Sequence, residues 1–256
     1  MAIIDATSFH NEDDMFDLRY RMLEPYVDEF IVLECTSTFG GLPKPLNFER
    51  IKGKYPKVKY VVNNDDYSTE EIEAAQLSPN TAGLQRWMHE FLQKERLQGA
   101  MSHLNDDDTV FIGDVDEIWD PKILEGPIEG VRKLRLRVYC YYLNLRSSEE
   151  FCGPIVAKYK DIKGQCLNHL RNNGPNNTKE YWGWHFTNMG GYDAVKMKVF
   201  DQYNPEVFGN DTWMNLTDRF GVKDYVGRNF IFTEDESEWP EFLKINRERY
   251  SKLCKS

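Results

Sequence analysis

Four acidic side chains crowd one short stretch of this chain. Asp114, Asp116 and Glu117 follow the apolar run Val110-Phe111-Ile112 and Gly113, with Asp120 close behind. A polar turn containing Asp106, Asp107 and Asp108 precedes the run, which therefore reads as a buried strand. In extended backbone successive side chains alternate, so Asp114 and Asp116 are expected on the same side. Two carboxylates held that close repel unless positive charge sits between them. A hard divalent cation supplies that charge, and such ions bridge protein carboxylates to substrate phosphates. Ligands of open α/β sheets sit beyond the carboxyl ends of the strands, where this pair falls. The plainer alternative is a solvated acidic turn, a common meaning of a lone D-x-D.

The elements that must position these residues alternate. Ala2 to Ser8 reads as a strand, and Asp13 or Asp14 can cap a helix running to about Val27 with Phe16, Tyr20, Leu23 and Val27 on one face. Phe30 to Leu33 is a second strand, ending at Glu34. A Gly/Pro-rich loop follows with Lys44 in it, then a short helix near Phe48 to Lys54, a strand at Val58 to Val62, and a long helix from Thr81 to about Leu104. This order implies a parallel, Rossmann-like sheet with helices on both faces and the acidic motif after its fourth strand. In the second half, Lys133 to Val138 alternates basic and apolar residues, as an edge strand with a solvated basic side does. Tyr139, Tyr141 and Tyr142 carry that strand toward the expected cleft, which makes Tyr141 a candidate ligand contact. A helix is expected around Ile162 to Leu170. Trp182, Trp184 and His185 lie in the densest aromatic segment, Tyr181 to Phe186. Asp211 opens a helix predicted to reach Phe220, and Trp239 to Leu253 reads as an amphipathic C-terminal helix. The whole reads as one domain over 1–256, with a nucleotide-binding half over 1–125 and an acceptor-side half over 126–256.

Net charge of -10 and pI near 5.1 argue against a nucleic-acid surface. An acidic chain that binds a diphosphate needs a metal or a few placed cations. The five cysteines are scattered without a C-x-x-C, as reduced thiols in a cytoplasmic protein would be. The N-terminal residues lack the pattern of a signal peptide, and no apolar run approaches a membrane span.

Four separated segments resemble glycosyltransferase family 17, the family of the N-acetylglucosaminyltransferase III-like enzymes: Phe9 to Glu34, Gly41 to Phe48, Asp107 to Ile118 and Gly183 to Gly191. They keep the family's order and span most of the chain. The resemblance implies a GT-A-type fold, a UDP-sugar donor, a glycan acceptor and Mn²⁺ or Mg²⁺. It also implies inverting transfer, of a HexNAc unit; the departure from the family's animal enzymes, which carry a membrane anchor, points instead to a compact soluble enzyme of bacterial or viral type. On this basis Asp114 and Asp116 are expected on the metal, Asp114 also serving the donor, with His185 as a late metal ligand.

For the remaining candidates two readings stand side by side. Glu117 orients the metal ligands or acts on the substrate, or it is a helix-start carboxylate. Asn11, Glu12 and Glu34 sit where a mononucleotide-binding half holds base and ribose, while Glu34 can equally end its strand at the surface. Arg86 meets the donor or pairs with Glu90 one turn on. Trp182 and Trp184 stack on a sugar or fill the core. Asp211 is the acceptor's general base or a helix cap. Two rival functions use part of the same pattern. HAD-type phosphatases also carry D-x-D after a strand, though after the first, whereas three strand–helix units precede it here. A glycan-binding module without catalysis is the non-enzymatic alternative.

Overall fold

The computed structural model describes residues 1–78, 85–174, 178–203 and 216–255, without the side chains at 85, 86, 202 and 203. The strands are β1 (Ile3–Phe9), β2 (Glu29–Cys35), β3 (Val58–Asn63), β4 (Thr109–Ile112), β5 (Glu117–Trp119), β6 (Arg132–Cys140), β7 (Leu145–Lys158), β8 (Tyr181–Thr187) and β9 (Phe232–Glu234). The helices used below are α1 (Asp13–Leu23), α2 (Thr69–Leu77), α3 (Gln85–Glu95), α4 (Leu97–Ala100), α5 (Tyr159–Ile162), α6 (Leu167–Asn173) and α7 (Tyr192–Tyr203). Among the described residues the strands form one sheet in the order β3-β2-β1-β4-β7-β6-β8-β5, with β9 added to β7.

The first four strands pair in parallel, with Asp5 of β1 opposite Phe30 of β2 and Phe111 of β4. Nearly every residue of β1, β2 and β4 is buried, as strands covered on both faces require. Ile4, Ala6, Val110 and Ile112 pack toward Met101 of the turn after α4 and toward Ile162 and Leu170. Phe9 and Phe111 face the other way, onto Phe16, Leu23, Phe48 and Trp119. The expected α/β architecture with helices on both faces is therefore present. Beyond β4 the sheet is mixed, not mostly parallel: β4–β7, β7–β6 and β8–β5 are antiparallel and β6–β8 is parallel. The chain reverses between Cys140 and Leu145, too short a link for the crossover that parallel neighbours need.

Several local expectations are corrected by chemistry the periodicity did not register. The 133–138 strand is internal, because β8 lies alongside it, and Arg135 and Arg137 lie over the Tyr181 ring instead of in open solvent. The stretch before α3 contains α2, started by Ser68 and Glu71 in a reciprocal capping box. The helix around Ile162 is two helices, broken at Gly164, whose φ of 72° ends the first. The C-terminal helix is also broken, at Asn246, whose side chain donates to Phe242 O in place of helix continuation. No helix of the described residues is long and apolar enough to cross a membrane.

One buried charge pair ties these layers to the acidic motif. Asp5 and Arg19 are 0% and 1% exposed. The guanidinium of Arg19, on α1, grips both oxygens of Asp5 at 2.8 and 2.9 Å. Its remaining nitrogen donates to the carbonyls of Asp114 and Glu117 at 2.8 and 2.7 Å. Trp119 stacks on Phe111 and donates its indole N–H to Asp5. Replacing Arg19 by Met leaves the buried Asp5 carboxylate without its counter-charge and with the Trp119 N–H as its remaining side-chain donor, and it takes a donor from the carbonyls of Asp114 and Glu117. Breaking a buried pair from one side costs about 3–5 kcal/mol. Urea denaturation of Arg19→Met should show a loss of that order, and an essentially unchanged midpoint would refute this account of the pair.

Candidate active site

A cavity of about 390 Å³ opens at the carboxyl ends of β1, β2 and β4 and continues under β7 and β8. Asp114, Asp116, Glu117 and His185 line it, together with Phe151 and Lys198. A second cavity, about 520 Å³, lies against α1 and α7. The two share a wall made of His10, Glu12, Asp116, Asn188, Lys198 and Asp201.

The acidic motif is not extended. Val115 and Asp116 form a turn between β4 and β5, closed by Glu117 N–H donating to Asp114 O at 2.9 Å. The alternation argument therefore fails, and the two aspartates meet different partners. Asp114 takes Arg171 of α6 on one oxygen at 3.0 Å and Lys94 of α3 on the other at 3.1 Å. Asp116 faces Lys198 of α7 at 3.2 Å and His185 of β8 at 3.6 Å. Glu117 folds back beneath the turn, accepting from Asp114 N–H at 2.8 Å and from one Arg171 nitrogen on both oxygens at 2.9 and 2.8 Å. Gly113 makes this possible, since a Cβ there would stand 2.8 Å from Glu117 Oε2. Gly183 does the same for β8: with φ of 148°, it lets the β5 backbone approach where a Cβ would meet Ile118 O at 2.2 Å.

Protonation follows these contacts. Burial opposes ionisation of Asp114, but Arg171 and Lys94 hold its carboxyl well below the usual carboxylate range. Lys198 and His185 do the same for Asp116, again against burial. Burial pushes Glu117 up, with Arg171 opposing and Asp114 adding to the rise. Burial would depress His185, yet Asp116 and Glu117 outweigh it and raise the imidazole. The cavity-lining thiol of Cys35 is pushed up to about 12 by burial, which leaves it un-ionised and inert near neutrality.

The candidates read from sequence divide sharply. Asp114, Asp116, Glu117, Glu12 and His185 are together at the cavity, and Asn11 lines the second one. Asp114, expected on the metal, has a cation on each of its oxygens here, as Asp116 has Lys198 on one and the imidazole of His185 on the other. Glu117 accepts from Asp114 N–H and is ion-paired to Arg171 through both oxygens, which places it poorly as a proton acceptor. Glu34 is neither a ribose ligand nor a surface residue. It is fully buried and accepts from Lys44 Nζ, Asn47 N, Phe48 N and Tyr60 Oη, which fastens the Gly/Pro loop to β2. Tyr141 is fully buried, donating to Lys223 O and accepting from Tyr225 N, so it cannot touch an acceptor. Trp184 is buried with its N–H on Glu238 O, and Trp182 packs against the core with Arg132 over its ring. Neither lines the cavity, whose aromatic lining is Phe9, Phe39, Tyr225 and Phe151, the last with its ring centroid 4.2 Å from that of His185. The side chain of Arg86 and all of Asp211 lie outside the described residues, and Glu90 pairs with Lys94. Arg19, Lys94, Arg171 and Lys198 carry no sequence signal as site residues. Arg171 and Lys198 stand 57 and 82 positions from their aspartates, and tertiary contact alone shows their part.

A Rossmann-like half continued by a mixed sheet, with acidic and cationic side chains gathered at the carboxyl ends of the strands, is the architecture of a nucleotide-utilising α/β protein. The model of glycosyltransferase family 17 matches residues 1–203, and the chain belongs to that family. No curated protein sequence matches it. Among solved structures it is similar to the galactosyltransferase LgtC in complex with donor and acceptor sugar analogues, at 11% identity, 99% of this chain, 95% of that one and a TM-score of 0.37. It is also similar to the inositol-1-phosphate CTP transferase from T. maritima, at 10% identity, 99% and 97% coverage and a TM-score of 0.32. A third is a glycosyltransferase involved in glycosylation of the major capsid of PBCV-1, at 12% identity, 81% and 78% coverage and a TM-score of 0.28.

The charge network has a testable pH signature. With carboxyls held below their unfolded value of about 3.9, Asp114 and Asp116 contribute stability that is complete above that pH and lost as pH falls. Arg171→Met should reverse the sign for Asp114 and push the already raised Glu117 further up, so that both buried carboxyls favour the protonated form. The variant's deficit relative to wild type should be larger at pH 8 than at pH 5 in matched denaturation curves. Equal deficits would show that Arg171 acts by packing alone.

Proposed function

We propose that this chain transfers a HexNAc unit from a UDP-sugar to a glycan acceptor with inversion, assisted by Mn²⁺ or Mg²⁺. The observation that carries the reading is the meeting of Asp116, from the turn before β5, and His185 of β8 at the cavity floor, in a family 17 member. Their facing atoms, 3.6 Å apart, are too distant for a hydrogen bond. His185 Nδ1 is buried with no hydrogen-bond partner among the described residues. The nitrogen that faces Asp116 is Nε2, so an imidazole nitrogen and a carboxylate oxygen stand side by side at the cavity with no hydrogen bond between them. Among the described residues no group of three His, Cys, Asp or Glu side chains forms a full protein cage. One carboxylate and one imidazole still fit a hard cation that keeps substrate phosphates and water as its other ligands. Asp116 and His185 would hold the ion. When bound, the ion offsets charge on the departing diphosphate.

The chain's own side chains supply the rest. Glu117 and Arg171 hold the turn that presents Asp116, and Arg171 and Lys94 keep Asp114 from repelling it. Phe151 shields one face of His185 from water. The acceptor's proton needs a carboxylate on the side away from the diphosphate, and Asp211 is our candidate on its sequence position.

UDP should stabilise the protein in thermal shift only with Mn²⁺ or Mg²⁺ present, by about 2.7 kcal/mol at 100 times its Kd. Asp116→Asn and His185→Ala should remove that metal dependence while the fold persists. Equal stabilisation by UDP with and without a chelator would sink the reading. Asp211→Asn retains a helix-capping side chain but no base, so turnover should fall by roughly 10²–10⁴ with donor binding intact. Near-normal UDP release by that variant would exclude Asp211.

A further inference from the structure

The charges around Asp116 do more than neutralise it. Lys198 Nζ sits 3.2 Å from Asp116 Oδ2, while His185 Nε2 faces the other oxygen. Lys198 is the lysine that lines both cavities among the described residues, on the wall they share. The other lining cations are committed elsewhere. Lys44 is paired with buried Glu34, Arg228 with Asp224 and Glu149, and Arg50 with Asp13. Beneath the cavity floor, Arg171 and Lys94 are held by Asp114, Glu117 and Glu90. Lys198 has Asp116 as its ion-pair partner and keeps 27% of its side chain exposed. A divalent ion on Asp116 would put two like charges within a few ångströms of each other, on the same carboxylate. The lysine, on its flexible four-carbon stem, must then leave that oxygen. It remains on the wall where a diphosphate bridging the two cavities would pass.

Resting on the proposed function, we infer that Lys198 is an exchangeable counter-ion: it occupies Asp116 in the free protein and pairs with the donor's diphosphate once a metal takes Asp116. Metal alone must displace an ammonium from its partner, and UDP alone finds Lys198 already engaged. Together they satisfy both cations. Metal and nucleotide therefore bind with positive coupling, and linkage requires each to raise the other's affinity by the same factor.

The test is binding, not turnover. Mn²⁺ affinity is measured from the loss of the free-ion EPR signal with and without UDP, and UDP affinity by calorimetry with and without Mn²⁺. In wild type each ligand should raise the other's affinity by about tenfold or more. Lys198→Met should bind Mn²⁺ alone several-fold more tightly than wild type and lose most of the coupling. Lys198→Arg, which keeps the charge, should retain it, and Lys198→Gln serves if the Met variant does not fold. Coupling undiminished in the neutral variants, or Mn²⁺ bound no more tightly by them, overturns the counter-ion role while leaving the function intact. A wild-type protein that binds neither Mn²⁺ nor UDP overturns both.

Discussion

The site depends on a guanidinium that never reaches it. Arg19 sits at 1% exposure between α1 and the sheet, holding Asp5 with two nitrogens and the carbonyls of the acidic turn with the third. A buried charge is tolerable only when all its polar directions are answered, and here the backbone of residues 114 and 117 supplies the last ones. The same contacts that satisfy Arg19 therefore fix the turn. Once the turn is fixed, Asp114 and Asp116 cannot point the same way, and each must find its own positive partner. Trp119 completes the arrangement from β5, since its indole N–H would otherwise be buried without an acceptor.

That splitting changes what the acidic motif means. A pair of parallel aspartates would ask for one ion between them. The folded motif has one aspartate neutralised by Arg171 and Lys94 and a second left with Lys198 and His185, partners that a ligand can rearrange. Glu117, beneath both, is tied to the same guanidinium as Asp114. The cations come from α3, α6 and α7 and the imidazole from β8, so the second half of the chain supplies most of the charge that makes the first half's motif usable. An overall charge of -10 thus coexists with a cavity whose acidic floor is locally compensated.

The aromatic richness of the chain serves the core before it serves any sugar. Phe9, Phe16, Tyr20, Phe48 and Tyr55 interlock edge-to-face and tilted around α1, and Phe111 stacks on Trp119 behind the acidic turn. Trp184 and Phe186 are buried, while His185 between them faces the cavity. Strand alternation therefore selects the histidine over its aromatic neighbours as the residue presented to a ligand. The glycine within that aromatic segment exists for backbone approach to β5, which brings His185 opposite Glu117.

Much of this was legible in the residues themselves. Short apolar runs placed β1, β2 and β4 and put the motif at the carboxyl end of a buried strand, because hydrophobic patterning and strand direction are local properties. Segments scattered from Phe9 to Gly191 identified the family, and they include His185 and both aspartates of the motif. Turn geometry was not legible, since nothing in D-V-D shows that Arg19 will pull two carbonyls together and end the alternation. Nor were the roles of Glu34, Tyr141, Trp182 and Trp184, which depend on which face of a sheet the neighbouring elements cover. The partners of the acidic motif, Arg171 and Lys198, were decided by tertiary structure alone. A charge's partner is chosen by distance in space, and these lie 57 and 82 positions away along the chain.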